Sequence, residues 1–297
     1  MIYTLTLNPA LDYVMETGKL ETGRTNRSMS ENIYFGGKGI NVSVVLSRLG
    51  VKNKALGFLA GFTGKELLKE IKKENVKTDF IFLKNGLTRI NVKLKGEEET
   101  EINSSGPDIP QKEISRLIKR LNKLKKDDIL VLSGSVPKSV DSGIYEKIMK
   151  ELYGKGVRII VDATRDSLIP CLKYKPFLIK PNKQELEEIA EKELKTKEEI
   201  VDAAKCLKNM GAENVLVSLG RDGAILVDEN DCVYIESAKR VTAVNTVGAG
   251  DSMIAGFIAG VGKGYKYALS LAIAWGSATA GSLHLATKEK IYELIED

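Results

Sequence analysis

Two hydrophobic patterns alternate along this chain: short, continuous apolar runs, and longer stretches in which apolar residues return every three or four positions. The first kind reads as buried strands and the second as helices packed on them. Residues 2–7 (Ile-Tyr-Thr-Leu-Thr-Leu) open as a buried strand. Asn8-Pro9 ends it, because proline lacks an N–H and turns the residue before it away from helix. That places Asp12 in a loop just past a strand end. Val42, Val45, Leu46 and Leu49 keep helical spacing up to Gly50, which suits a C-cap. Residues 55–59 then read as a strand and 65–75 as an amphipathic helix. From residue 114 the order is regular: helices at 114–124, 142–153 and 197–210 precede strands at 129–132, 158–161 and 214–217. A strand at 177–179 runs into Lys180-Pro181-Asn182-Lys183-Gln184-Glu185 and another helix, and the apolar stretches 253–261 and 267–286 read as buried helices. Such alternation predicts an α/β fold, an open and mostly parallel sheet with helices on both faces.

A second pattern interrupts the first. Residues 16–35 are polar without helical spacing, and strand signals at 80–83 and 90–94 stand close together before the acidic turn at 96–101. This spacing predicts hairpins in a small inserted β-sheet, a lid drawn from segments near 13–35 and 88–104 of one domain spanning 1–297. Within Thr88-Arg89-Ile90-Asn91-Val92, Arg89 and Asn91 share a strand face by the period of two. A plain surface face would carry such a pair equally well.

Composition narrows the function. Charged residues make up 29% and hydrophobic residues 43%, as in a soluble globular protein. The net charge of +5, from 45 basic and 40 acidic residues, favours an anionic ligand only weakly. No basic stripe interleaved with aromatics appears, which argues against nucleic acid. Stretch 267–286 is interrupted by glycine, serine and threonine, so a soluble core helix is expected there and no membrane span. Cys171, Cys206 and Cys232 are scattered without metal-ligand spacing. With no signal-peptide pattern at Met1 to Leu7, they suggest reduced thiols in a cytoplasmic protein.

The candidate chemistry lies where apolar runs end. Asn245-Thr246-Val247-Gly248-Ala249-Gly250-Asp251-Ser252 precedes the helix at 253–261, so glycine N–H groups and a helix N-terminus would meet an anion beside the Asp251 carboxylate. Taken alone, Asp251 is equally well a first-turn helix residue. Gly36-Gly37-Lys38-Gly39-Ile40-Asn41 is a second glycine turn opening a helix, suited to an anionic or hydroxyl-rich ligand, though without Walker spacing. Ser133-Gly134-Ser135, Asp162, Lys180-Pro181-Asn182 and Ser218-Leu219-Gly220-Arg221-Asp222-Gly223 also follow strands, as along the active edge of a parallel sheet. The glycine run at 248–250 comes too late in the chain for a dinucleotide fingerprint.

Taken in order, these motifs resemble the ribokinase-like (PfkB) carbohydrate kinase family over nearly the whole chain. The resemblance implies a ribokinase-like fold and ATP-dependent transfer to a sugar. Asn8 to Asp12, Thr88 to Leu94 and Thr246 to Met253 are most similar to the branch that phosphorylates fructose 1-phosphate, with kinases of 6-phosphorylated ketohexoses as the alternative. It further implies Asp251 as catalytic base and the N–H groups of Gly248, Ala249 and Gly250 as anion hole. Asp12, Gly37, Lys38, Asn41, Arg89 and Asn91 are implied to hold the phosphosugar. Lys180, Asn182, Ser218, Gly220, Gly223 and Gly250 would hold ATP, Glu185 would hold Mg2+ through water, and residues 274–277 would border the adenine unless they are core. Much of the family has aspartate where this chain has Asn245, so the resemblance leaves monovalent-cation dependence open. Exposed lid strands are expected to pair with a second copy in a homodimer.

Overall fold

The computed structural model describes residues 1–296. The chain begins with β1 (Ile2–Thr6), β2 (Ala10–Glu16), β3 (Ser30–Gly36), α1 (Lys38–Arg48), β4 (Asn53–Ala60) and α2 (Gly61–Lys73). Then come β5 (Lys77–Leu83), β6 (Arg89–Lys95), β7 (Glu99–Asn103), α3 (Gln111–Leu121), β8 (Ile129–Ser133), α4 (Ile144–Leu152), β9 (Arg158–Asp162) and α5 (Arg165–Leu172). The last part holds β10 (Leu178–Ile179), α6 (Lys183–Ala190), α7 (Lys197–Asn209), β11 (Val215–Ser218), β12 (Ala224–Val227) and β13 (Val233–Glu236), followed by α8 (Ala249–Gly260), α9 (Tyr265–Ala280) and α10 (Lys288–Glu296).

Nine strands form the large sheet in the order β13-β12-β11-β10-β9-β8-β1-β4-β5. All pairs are parallel except β11–β12 and β12–β13. Its strands are apolar on both faces because helices cover both. In β8, Leu130 and Leu132 pack into the layer with α3 and α4, while Val131 packs into the layer with α1, α8 and α9. The chain leaves β1 outward to β4 and β5, then returns to β8 on the other side of β1. At that reversal the connections diverge and open a crevice beyond the strands' C-terminal ends.

A separate four-stranded sheet has the order β3-β2-β6-β7. Its register sorts its side chains into two faces. Tyr34, Asp12 and Asn91 lie side by side on the face toward the crevice. Ile33, Tyr13, Val92 and Ile102 form a row on the other face, with Ile33 63% and Ile102 58% exposed.

Several sequence expectations need correction. Residues 80–83 belong to β5 at the edge of the large sheet, parallel to β4 with Phe80 beside Gly57, and not to the small sheet. The short link from β5 to β6 changes sheets, which strand spacing does not reveal. Strands β2 and β6 pair in parallel, so within the small sheet only β6–β7 and β2–β3 have hairpin geometry. Asp12 lies inside β2 and not in a loop, since the chain resumes extended pairing directly after Pro9. The helix expected at 267–286 stops at Ala280 with Gly281 as its cap. Among the described residues no helix is long and apolar enough to cross a membrane, and all three cysteines are free.

Candidate active site

The polar or glycine-bearing ends of β1, β3, β8, β9, β10 and β11 converge, with the start of α8, on a cleft of about 740 Å³ at the topological reversal. Gly248 starts α8 in the left-handed region, φ 81°, and a Cβ there would stand 2.7 Å from Leu285 Cδ2. Only glycine fits that turn. The amide of Ala249 donates to the Thr246 carbonyl at 3.2 Å, so it closes the turn, while the remaining first-turn amides lie at the positive end of α8. Asp251 follows in the same turn. It is buried, and its Oδ2 accepts a hydrogen bond from Asn41 Nδ2 at 2.8 Å. Asn41 comes from α1, whose start is fixed by Gly37 at the N-cap.

Asp162, at the end of β9, is 2% exposed. Its Oδ2 lies 3.2 Å from Lys38 Nζ and its Oδ1 3.4 Å from Lys180 Nζ. Lys180, itself 6% exposed, stands over the α8 turn, 2.9 Å from where a Cβ on Gly250 would be. Burial alone would raise the Asp162 pKa, but Lys180 and Lys38 together hold it below the usual carboxylate range. Asp251 moves the opposite way. Burial first, and then the negative Asp162, push its pKa up to about 6, against the opposing effects of Lys38, the Asn41 hydrogen bond and Lys180.

The small sheet roofs one end of the cleft. Asn91 Nδ2 donates to Asp12 Oδ1 at 2.8 Å, and Arg89 Nε donates to the Asn8 carbonyl at 3.1 Å. Among the described residues no carboxylate forms an ion pair with Arg89; its guanidinium donates to main-chain oxygens of Asn8 and Ser104, with the Asp12 charge nearby. Four buried oxygens of the cleft, Thr6 Oγ1, Asn8 Oδ1, Asn41 Oδ1 and Asn91 Oδ1, have no hydrogen-bond partner among the described residues. Buried acceptors of this kind are matched by a ligand rich in hydroxyl donors.

At the other end, Asn182, Ser218 and Gly250 are shared with a second cavity of about 570 Å³. Gly220, Gly223, Met253, Ile273, Gly276 and Ser277 line it, a largely apolar slot beside a polar doorway. Asn182 caps α6 and forms a reciprocal capping box with Glu185, whose Oε2 accepts from the Asn182 amide at 2.9 Å. Glu185 also lines the main cleft. Of residues 274–277, Ala274 and Trp275 are buried in the core, the alternative left open for them, while Gly276 and Ser277 line this cavity. Asn245 sits at the cleft margin, donating to the Leu283 carbonyl at 2.9 Å and accepting from the Val247 amide at 3.0 Å.

Every residue expected from the sequence to catalyse or to bind sugar, ATP or metal lines one of these two cavities. Tyr34 and His284 also line the cleft, as does Asp162, which the sequence marked only as a strand end with no role implied. Asp162 obeyed the same strand-end rule as the chosen residues. His284, the chain's single histidine, carried no spacing signal.

The pfkB family carbohydrate kinase model matches residues 5–289. A 1-phosphofructokinase of Bacillus subtilis (strain 168) is 42% identical over 299 residues, covering 100% of this chain and 98% of that protein. A D-tagatose-1-phosphate kinase of Bacillus licheniformis is 37% identical, covering 98% of this chain and 96% of its own length. The structure of phosphofructokinase-2 from Escherichia coli in complex with substrates and products superposes with a TM-score of 0.92 at 29% identity, covering 99% of this chain and 98% of that one. The motif order, the two-sheet fold and these matches agree, and the chain belongs to the pfkB family of carbohydrate kinases.

Proposed function

We propose that this protein is a 1-phosphofructokinase, which transfers the γ-phosphoryl group of ATP to the 6-hydroxyl of D-fructose 1-phosphate to give fructose 1,6-bisphosphate and ADP. The observation that carries the reading is Asp251, buried at the start of α8 with a pKa pushed up to about 6, at the meeting point of the hydroxyl-matched cleft and the apolar slot. A base with a pKa near the working pH is ionised in the resting enzyme yet able to take a proton. In this reading the phosphosugar lies under the small sheet, with its hydroxyls on Asp12, Asn41 and Asn91 and its phosphate on Arg89 and Lys38. Arg89 suits that role because its planar fork can bind two phosphate oxygens at once. As the acceptor oxygen attacks, its proton passes to Asp251. Charge on the transferring group faces the α8 turn and Lys180, where each aligned donor contributes roughly 3 kcal/mol in comparable anion holes. The base of ATP fits the slot near Gly220, Gly223 and Ser277, with Asn182 and Ser218 at the phosphates.

Magnesium suits this donor set. Glu185 is an oxygen ligand at the phosphate end, and no cluster of three His, Cys, Asp or Glu forms a metal cage among the described residues. An ion that keeps waters and shares phosphate oxygens needs no more than Glu185 from the protein, and it would neutralise phosphate charge there. The small sheet would act as a lid that excludes water during transfer. Its outward row of Ile33, Tyr13, Val92 and Ile102 would be covered by the same row of a second copy; strictly monomeric light scattering at micromolar concentration would reject that pairing.

The test is a substrate panel. With ATP and magnesium, kcat/KM should be highest for fructose 1-phosphate among fructose 1-phosphate, tagatose 1-phosphate, fructose 6-phosphate and tagatose 6-phosphate. A preference for tagatose 1-phosphate would support the reading suggested by the Bacillus licheniformis relative. Preference for a 6-phosphate would overturn both.

A further inference from the structure

The loop after α9 reaches back to the small sheet through one side chain. The His284 ring stacks on Tyr34 with centroids 4.9 Å apart and an interplanar angle of 10°, and it meets Phe35 edge-on at 4.7 Å. Both aromatic partners belong to β3, and Tyr34 is the direct cross-strand neighbour of Asp12. On the other side of His284, Leu285 fills the space against Gly248, 2.7 Å from where a Cβ on that glycine would be. The loop itself is anchored from α1. Arg48 Nη1 donates to the Leu285 carbonyl at 2.5 Å and to the Ala286 carbonyl at 2.9 Å, while its Nη2 pairs with Glu74 at 2.6 Å. A continuous series of contacts thus runs from Asp12 through Tyr34, His284 and Leu285 to Gly248.

We infer that His284 is a positioning residue: its stack on Tyr34 fixes the small sheet against the loop that backs the α8 turn, so that the acceptor held at Asp12 is registered to the anion hole at Gly248. This rests on the proposed kinase reading for its kinetic consequence and on geometry for the contact itself. Without the ring, the stack and edge contact that tie β3 to that loop are lost, and the acceptor end loses its height reference. The ATP end is lined from the starts of α6 and α8, the end of β11, α9 and residues 238–246, and His284 is not part of that lining.

Two variants of the full chain test it, His284→Ala and His284→Phe, each assayed with fructose 1-phosphate and ATP and followed by hydrogen exchange of the β3 amides. Misplacement of reacting groups by about 1 Å costs on the order of 100-fold in rate, so a partial loosening should lower acceptor kcat/KM in His284→Ala by roughly 10-fold. The KM for ATP should stay within about twofold, because positioning of the acceptor is the lost element. Exchange in β3 should rise. His284→Phe, which keeps an aromatic ring on Tyr34, should restore both acceptor kinetics and slow exchange. Wild-type acceptor kinetics and exchange in His284→Ala would overturn the inference, and so would a His284→Phe variant as impaired as His284→Ala. If the wild-type protein fails to phosphorylate fructose 1-phosphate, the kinase assignment falls. The exchange comparison still decides whether His284 holds the sheet.

Discussion

The end of β9 and the start of α8 each bury a carboxylate in the same cleft, and their surroundings drive the two in opposite directions. Asp162 has a lysine on each oxygen and is held below the usual carboxylate range. Asp251 has one amide donor and a negative neighbour, and is pushed up to about 6. The linkage signs differ accordingly. Asp162, with a depressed pKa, contributes stability above its unfolded value, and that contribution is lost as pH falls through its folded value. Asp251 favours the neutral form, so its contribution is present below the ordinary carboxylate value of 3.8 and lost as pH rises through about 6. At pH 7 its ionised state then costs about 3 kcal/mol, at 1.36 kcal/mol per pKa unit. One carboxylate organises the cleft floor; the other is kept charged at the fold's expense, as expected of a group retained for chemistry.

The comparison is tested most strongly by Asp251→Asn. If Asp251 is the base proposed above, its loss should lower turnover by roughly 100- to 10,000-fold. The same change should raise the thermal midpoint at pH 7, because the amide carries no charge to desolvate. A variant that keeps wild-type turnover would remove Asp251 from the mechanism, and one that is less stable than wild type would remove the energetic contrast. Asp162→Asn should do the reverse to stability. It leaves Lys180 buried without its counter-charge, and breaking a buried pair from one side costs about 3–5 kcal/mol. Urea unfolding at pH 7 measures this directly. An Asp162→Asn protein as stable as wild type would mean that Lys180 finds another anion, and Asp162 would not be the hub described here.

How much of this was legible beforehand depends on the range of each interaction. The large sheet was readable because its strands are covered on both faces and appear as continuous apolar runs, as at 129–132 and 214–217. Strand ends carry the site in such sheets, so Lys180, Asn182 and Ser218 were marked by position, while Asp251 was marked by the glycine run before its helix, which by itself left a first-turn helix residue equally open. What was not legible is pairing between distant segments. Nothing local shows that β5 joins the large sheet while β6, after a five-residue link at 84–88, joins the small one in parallel with β2. Asp162 was visible as a strand end, but its value lies in Lys38 and Lys180, which approach it from other elements. His284 meets Tyr34 across 250 positions, a contact that only the folded chain creates.

The pH profile sharpens the contrast at smaller amplitude. If Asp251 must be ionised to accept the proton, kcat/KM falls with a slope of one below about 6. At pH 5 it should then be lower by about tenfold than on the plateau, since one unit below a pKa leaves roughly a tenth of the base ionised. Asp162→Asn should move that limb to lower pH, because the variant removes a negative neighbour while Lys38 and Lys180 remain to favour the ionised Asp251. The direction separates the causes. A limb that stays in place assigns the raised pKa to burial alone and uncouples the two sites. A limb that moves to higher pH means that the lysines have left the cleft with their anchor, so that Asp162 acts on Asp251 mainly by holding them there.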